Sequence, residues 1–125
     1  EVVDVLSNWK SKLKKGGILR LAVPDFEAIC KVYMKYKDLD HRGILGPLYG
    51  RWPLSSDNEE IFYHKSTYDF KSLKKIITKL GFSDYYRYNW EDTIHKDYDD
   101  YSQAYIPHMD KKNGILISLN IEAVK

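Results

Sequence analysis

The stretch LKKGGILRLAVPD, residues 13–25, carries the signals of a helix end, a turn, a strand and a new helix start. Gly16 and Gly17 follow a lysine-rich turn, and glycine adopts the positive φ that a helix terminus needs. Residues 18–23 are apolar except Arg20, which predicts a strand covered on both faces. Pro24 cannot continue a central ladder, and Asp25 is a favourable N-cap. The stretch therefore predicts a helix, a strand and a second helix of an α/β fold.

Length, charge and cysteine content limit the class of protein. The chain has 125 residues, which fits a single domain, residues 1–125. The formal net charge is +2, with lysines and acids interspersed, so the charge gives no reason to expect nucleic acid as a partner. The single cysteine excludes an intramolecular disulfide and fits a reducing compartment, which predicts a cytoplasmic protein. No apolar run approaches the roughly 18 residues of a membrane span, so a membrane is not an expected partner.

Apolar residues at helical spacing predict three helices. Residues 1–15 form the first, with a stripe expected to cover a sheet that consists of Val2, Val5, Leu6, Trp9 and Leu13. The second runs from residue 26 to about residue 38, and Cys30 lies on its apolar stripe, where core packing is expected. The third contains residues 73–80, with Leu73, Ile76, Ile77 and Leu80 as its buried stripe. Ser66 is expected to cap it, with Asp69 returning the bond of a capping box.

Two long segments lack this periodicity. Glycines and prolines interrupt residues 39–65, and the aromatic content of this segment predicts a partly ordered lid or substrate loop. Residues 91–113 are acidic and aromatic, which predicts a long excursion. Residues 83–90 and 115–124 are strand-like, so the expected sheet has only three strands.

A sheet of three strands leaves the apolar strand 18–23 with an open edge. Such an edge invites pairing with another chain. We therefore expect this edge to bind either a second copy of the chain, giving a homo-oligomer, or a missing N-terminal half of a larger sheet.

The residues described above resemble the C-terminal half of class I S-adenosylmethionine-dependent methyltransferases. In that family a helix ends in Leu-Lys-Pro-Gly-Gly before a strand that leaves through a Pro-Asp loop, and here only Lys15 departs from the pattern. The later order of helix, Gly81-Phe82, strand, variable segment and final strand is also similar. Residues 117–125 resemble the ending of a group of small predicted methyltransferases whose substrates are uncharacterised.

The resemblance implies a partial Rossmann-like sheet with three main helices. The three strands correspond to the fifth, sixth and seventh of the family, the last antiparallel between the other two, and the open edge corresponds to the fourth. The full-length family domain binds S-adenosylmethionine through a glycine-rich turn after its first strand and an acidic residue further on. Neither is present, because Gly16 and Gly17 precede a strand. No cofactor-binding residue is assigned, and this chain alone is expected to bind no donor and to be inactive.

Four residues are candidates for contacts with the methyl acceptor, which the resemblance leaves open as a small molecule or a glycan-type molecule. Asp25 stands at a strand end, where open α/β sheets bind ligands, but it also reads as a helix N-cap. Tyr49 and Arg51 would line an acceptor pocket, the arginine pairing with an anionic group, or would pack a loop. His64 would be a general base, a substrate contact or a surface histidine. No catalytic residue is assigned.

The last third of the chain contains histidines and acids of the types that bind metal ions: His95, Asp97, Asp99, Asp100, His108 and Asp110. The histidines are far apart and lack a paired helical spacing, so no metal site is expected.

Three functions remain as hypotheses. The first is the acceptor-side, C-terminal part of a methyltransferase. The second is a stand-alone homo-oligomeric interaction module without catalytic activity. The third is a tyrosine-rich binder of single-stranded nucleic acid, because aromatic side chains stack on bases, although the near-neutral charge counts against it.

Overall fold

The described part of the chain contains four α-helices and seven short strands, and it comprises residues 1–39, 42–50, 52–53 and 61–125 of the computed structural model. The helices are α1 (Val2–Lys12), α2 (Phe26–Tyr36), α3 (Arg42–Tyr49) and α4 (Phe70–Lys79). The strands are β1 (Ile18–Pro24), β2 (Trp52–Pro53), β3 (Ile61–Phe62), β4 (Ser83–Arg87), β5 (Tyr105–Ile106), β6 (Ile115–Leu116) and β7 (Ser118–Val124). The α/β class predicted from the sequence is confirmed, with four helices where three were expected.

The chain divides into two units, which are described separately. The sheet unit contains Glu1–Val23, Asp69–Ser102 and Leu119–Lys125. The α2–α3 unit contains Pro24–Tyr68 and Gln103–Ser118. None of the helices in the described residues is long and apolar enough to cross a membrane.

The last strand of the chain is the middle strand of the main sheet, whose order is β1-β7-β4. β4 pairs antiparallel with β7. Main-chain hydrogen bonds join Gly17 to Lys125 at one end of the β1–β7 pair and Asp25 to Ile117 at the other, so this pair is antiparallel too. Within the described residues, β1 and β4 are therefore the edge strands.

β7 is buried on both faces. Leu119, Ile121 and Ala123 point to one face and are fully buried, while Asn120 and Glu122 point to the other and are also buried. Side chains alternate along a strand, so one face of the sheet is apolar and the opposite face carries polar groups in a buried environment.

Helix α4 covers the apolar face of this sheet. Arg87 lies opposite Ile121 in the register, and its guanidinium lies 5.1 Å from the ring centroid of Phe70, the first residue of α4. Leu73 and Ile77, four residues apart on the helix, are fully buried. The spacing of the apolar residues in α4 therefore predicted its buried face correctly.

The α2–α3 unit has its own core. Ala28, Ile29 and Val32 of α2 are buried together with Ile44 of α3 and Ile117. The short pairs β2–β3 and β5–β6 belong to the same unit, and both are antiparallel.

Local signals located the start of α2 and the end of α4 correctly. Asp25 caps α2, and its carboxylate accepts a hydrogen bond from the backbone N–H of Glu27 at 3.1 Å. The cap predicted for the third helix is wrong: Asp69 is the N-cap of α4 and forms the capping box with Ser72, while Ser66 lies outside the helix. Asp69 and Ser72 each accept from the backbone N–H of the other, as predicted for Ser66 and Asp69, and the helix therefore begins after Asp69.

Burial differs from the sequence prediction at three places. Cys30 is exposed, because the buried face of α2 is centred on Ile29 and Val32, and Cys30 is turned about 100° away from Ile29. Trp9 of α1 is half-exposed, so the expected stripe is buried only at Leu6. Strand 18–23 was expected to be covered on both faces, but 51% of Ile18 is exposed.

The segments predicted to lack structure contain regular elements. α3 and the β2–β3 pair lie within residues 39–65, where glycine and proline predicted a loop. α3 forms because Ile44 packs against α2, and this packing outweighs the one backbone donor that Pro47 lacks within the helix. In residues 91–113 the chain forms β5 and two 3₁₀ turns, Trp90–Asp92 and Tyr101–Gln103. The long final strand is interrupted at Ile117, whose N–H bonds to Ala104.

Candidate functional site

Asp25 lies at the end of β1, as predicted, but its carboxylate is not open to a ligand. Only 4% of the residue is exposed, and the side chain caps α2. Its backbone forms a parallel bridge to Tyr68, whose carbonyl accepts from the N–H of Phe26 at 2.9 Å. The N-cap interpretation of Asp25 is therefore confirmed.

Tyr49 and His64 lie together in the α2–α3 unit. The backbone N–H of His64 donates to the carbonyl of Tyr49 at 2.9 Å, which ties residue 64 to the end of α3. Both side chains are exposed, Tyr49 by 59%. Four residues after His64 the chain reaches Tyr68 and the end of β1. Asp25, Tyr49 and His64 thus belong to one backbone-bonded segment, which we call the His64 ledge: residues 25, 47–50 and 64–68.

The imidazole of His64 is oriented by the ledge. Its Nδ1 lies 2.9 Å from the carbonyl oxygen of Pro47. A carbonyl oxygen only accepts, so Nδ1 carries the hydrogen and the neutral ring keeps its lone pair on Nε2. The ring lies across Gly50, which has a φ of +54°, and a methyl group on Gly50 would overlap the ring atoms. Glycine at position 50 is therefore required both by the backbone and by the histidine.

Arg51, the remaining predicted contact, lies outside the described residues. The structure thus brings together two of the four candidates as exposed side chains, Tyr49 and His64. It uses Asp25 as a cap.

A second polar arrangement crosses the sheet unit from strand to strand. Glu122 on β7 accepts from Nε of Arg20 on β1 at 2.6 Å, and its other oxygen accepts from the hydroxyl of Tyr86 on β4 at 2.6 Å. These three residues, the Arg20 row, lie side by side on the polar face. The guanidinium of Arg20 also lies 5.1 Å from the ring centroid of Tyr88.

The electrostatics of the row follow from these contacts. Burial tends to raise the pKa of Glu122, but the hydrogen bonds from Tyr86 and Arg20 outweigh it, so this pKa lies below its usual value of 4.5. The bond to Glu122 raises the pKa of the Tyr86 hydroxyl above its usual 10.0. The row therefore consists of a charged carboxylate, a charged guanidinium and a neutral phenol over the whole physiological range.

The polar face continues from the row to Ser102. Asn120 donates from Nδ2 to the carbonyl of Ser102 at 2.8 Å, and the hydroxyl of Ser102 bonds to Asp100. Burial raises the pKa of Tyr88, whose hydroxyl also bonds to Ser102. In the part of the chain that the structure describes, no buried side-chain nitrogen or oxygen lacks a hydrogen-bond partner. The contacts of this face are thus those of a satisfied structural network.

Sequence reasoning missed the Arg20 row. A signal existed: Arg20 is the one charged residue of strand 18–23, and Glu122 is the one charged residue of β7. Opposite charges isolated in two apolar strands are expected to pair when the strands are neighbours. The strand order that makes them neighbours had been implied only by the family resemblance.

The acids and histidines of residues 91–113 do not form a recognisable cation site. No group of three or more His, Cys, Asp or Glu side chains arranged to hold a metal occurs within residues 1–39, 42–50, 52–53 and 61–125.

The backbone amides of Gly16 and Gly17 donate hydrogen bonds within the chain. The N–H of Gly16 donates to the carbonyl of Lys125 at 2.8 Å, and the N–H of Gly17 donates to the carbonyl of Lys14 at 2.9 Å. Both amides are therefore engaged in main-chain bonds. They do not fit the glycine-rich cradle that a nucleoside-type cofactor requires.

Comparison of the chain with protein-family models, curated proteins and solved structures finds no significant match.

Proposed function

We propose that the chain is the C-terminal, acceptor-side part of an S-adenosylmethionine-dependent methyltransferase. One observation carries this proposal: the last strand lies in the middle of the β1-β7-β4 sheet and is antiparallel to both neighbours. The family resemblance implies this order for its fifth, seventh and sixth strands. A meander, in which consecutive strands pair, would have put β4 in the middle.

On this proposal the His64 ledge faces the methyl acceptor. His64 presents the Nε2 lone pair, which accepts a hydrogen bond from an acceptor hydroxyl, and the exposed ring of Tyr49 offers an apolar surface next to it. The acceptor is a hydroxylated small molecule or a glycan-type molecule. No step is assigned to the donor, because the engaged glycine amides do not fit it.

The test is a calorimetric titration of the 125-residue chain with S-adenosylmethionine. We expect no saturable binding and no transfer of a labelled methyl group. Saturable binding would contradict the proposal that this chain does not hold the donor, since the donor site would then be built from its residues. Sequencing the transcript upstream of the codon for Glu1 is the second test. The proposal requires an open reading frame with a glycine-rich strand–turn–helix motif there.

A second candidate function, a homo-oligomeric interaction module, is favoured by the edge strand β1. Ile18 at its start is half-exposed, and so are Val3, Val5 and Trp9 of α1 in the same unit. An edge strand with exposed apolar neighbours favours pairing with a second chain. On the leading proposal, the same edge pairs with the N-terminal half of the domain.

Light scattering of wild-type chain and two charge variants separates these candidates. Ile18→Lys is expected to reduce concentration-dependent association, whereas Ile94→Lys, at a side chain that is 85% exposed, is the matched control. A wild-type chain that stays monomeric at high concentration would exclude the homo-oligomeric module. Equal effects of the two substitutions would show that association does not use this edge.

A further inference from the structure

One face of α4 carries a concentration of positive charge. Lys71, Lys74, Lys75 and Lys79 lie side by side on the open surface of this helix, with Thr78 between them. Helical geometry puts these positions within an arc of about 140°, opposite the buried Leu73 and Ile77. None of residues 70–83 is acidic. We call this surface, formed by Lys71, Lys74, Lys75, Thr78 and Lys79, the lysine face.

The cations next to the lysine face are engaged in contacts, in contrast to Lys74, Lys75 and Lys79. Lys10 donates to the carbonyls of Leu80 and Gly81 and so satisfies the C-terminus of α4. Arg87 stacks on Phe70. Among the described residues, Lys74, Lys75 and Lys79 form no hydrogen bond or ion pair.

Asp69, just before α4, interacts electrostatically with Lys71, but Asp100 of the acidic segment 91–100 lies on the other side of the sheet. Five acids fall within residues 91–100, which explains why the whole chain is nearly neutral. Asp100 is held beside Ser102, and Ser102 bonds to Asn120 on the polar face of the sheet. α4 covers the opposite, apolar face. A sheet and its packed layer separate such charges by about 10 Å, which is about one Debye length at 0.1 M salt.

The shape of the lysine face favours a concave anionic partner. Lys74 and Lys79 stand at the two margins of the arc and diverge by about 140°, so a flat bilayer would meet only the lysines between them. Leu73 and Ile77 are fully buried, which leaves no apolar side of α4 to insert into lipid. The major groove of a duplex is about 12 Å wide and admits an α-helix between two rows of phosphates.

The charge density of the lysine face is also compatible with that of a nucleic-acid duplex. Lys71 and Lys79 are separated by about 12 Å along the helix axis. Duplex DNA presents one negative charge per about 1.7 Å of its axis, so about seven phosphates lie within that distance. An α-helix that runs along a duplex for this distance therefore passes more phosphates than the four lysines of this face.

We propose that the lysine face of α4 binds the phosphate backbone of a nucleic-acid duplex without reading its sequence. Lysine is a point charge that contacts phosphates, and the face lacks the arginine and amide side chains that recognise base edges. The near-neutral net charge had argued against nucleic acid, but the fold separates the charges. This proposal does not depend on the methyltransferase assignment.

The experiment measures fluorescence anisotropy of a short labelled DNA duplex on titration with the chain at about 50 and 200 mM salt. Four phosphate contacts predict a slope of log affinity against log salt of about −3 to −4, and an affinity loss of about 100-fold between these two salt concentrations. The test variant replaces all four lysines of the face by glutamine. The control variant replaces four exposed lysines outside it by glutamine and loses the same charge: Lys12, Lys14, Lys15 and Lys112.

We expect the test variant to lose at least about 10-fold in affinity and most of the salt slope, while the control stays within about 3-fold of wild type. Equal losses in the two variants would overturn the proposal, because net charge alone would then explain binding. Tighter binding to vesicles rich in phosphatidylserine than to the duplex would also overturn it. Unchanged circular dichroism and melting temperature of both variants ensure that a lost signal reflects a lost contact.

Discussion

Oε1 of Glu122 on β7 lies 2.6 Å from Nε of Arg20 on β1, although 102 residues separate the two in sequence. The side chain of Glu122 is only 8% exposed, whereas that of Arg20 is 38% exposed. The carboxylate therefore depends on Arg20 and Tyr86 for the hydrogen bonds that it would otherwise make to water. Breaking the pair is therefore expected to lower the stability of the sheet unit.

Replacing Glu122 with alanine is expected to lower the free energy of unfolding by about 2 kcal/mol. Breaking a fully buried pair costs about 3 to 5 kcal/mol, and the partial exposure of Arg20 reduces that figure. Glu27→Ala is the matched control, because Glu27 forms an exposed ion pair with Lys31 and its loss should cost at most about 1 kcal/mol. Urea denaturation measures both. Equal effects of the two substitutions would contradict the importance of burial.

Low pH is expected to lower the stability of the sheet unit. The pKa of Glu122 is lowered in the folded state, so its stabilisation is fully present above its usual value of 4.5 and is lost as the pH falls through the folded value. The stability of the wild type, followed by urea denaturation from pH 7 to pH 3, should therefore fall more steeply than that of Glu122→Gln. Parallel curves for the two proteins would exclude Glu122 as a source of the acid sensitivity.

High pH is expected to lower the stability of the sheet unit through ionisation of Tyr86. Its bond to Glu122 raises its pKa above 10.0, so this stabilisation is present below pH 10 and is lost as the pH rises through the folded value. Tyr86→Phe lacks the hydroxyl and should be less stable than wild type at neutral pH, with a smaller loss above pH 10. Tyr98→Phe, at a tyrosine that is 70% exposed, is the control and should resemble wild type. A wild-type alkaline profile in Tyr86→Phe would contradict this role.

Gly50 and His64 are expected to be energetically coupled. Gly50→Ala should lower the free energy of unfolding by about 2 to 4 kcal/mol, because the new methyl group overlaps the imidazole and the backbone has a φ of +54°. In the double variant Gly50→Ala, His64→Ala the overlap is relieved, and only the backbone cost of about 1 to 2 kcal/mol should remain from the first substitution. A double-mutant cycle in urea measures the coupling. Additive effects would show that the ring does not contact residue 50.

Two substitutions distinguish Asp69 from Ser66 as the N-cap of α4. Asp69→Ala should lower the melting temperature, because the carboxylate accepts from the backbone N–H of Ser72 at 2.7 Å. This bond also lowers the pKa of Asp69. Ser66→Ala should leave the melting temperature unchanged, since helix α4 begins at Phe70. The opposite ranking would restore Ser66 as the cap.

The elements that were predicted well are those with local causes. The cap at Asp25, the turn at Gly16 and the end of α4 near Gly81 depend on backbone angles and on hydrogen bonds within a few residues. The buried face of α4 was predicted because Leu73 and Ile77 repeat at helical spacing in an otherwise polar segment.

The elements that the sequence did not predict depend on contacts between residues that are distant in sequence. The glycines and proline of α3 predict a loop, yet Ile44 is buried against residues of α2 and against Ile117, which is distant in sequence. Cys30 was expected in the core because its helix has several apolar positions, and only packing decides which of them turn inward. Of the candidate site, residue types indicated Tyr49 and His64, but the orientation of the imidazole depends on the Pro47 carbonyl.

The order of residues along the chain was enough to predict the turn before β1, the start of α2 and the end of α4, since these boundaries follow from the conformational preferences of a few adjacent residues. The fold decided which charges meet and which remain apart. Arg20 reaches Glu122 because β7 enters the sheet next to β1. The lysines of α4 and the Asp100 carboxylate lie on opposite sides of the same sheet. Such relations depend on strand order and on the side from which each element packs, and contacts between residues distant in sequence determine both.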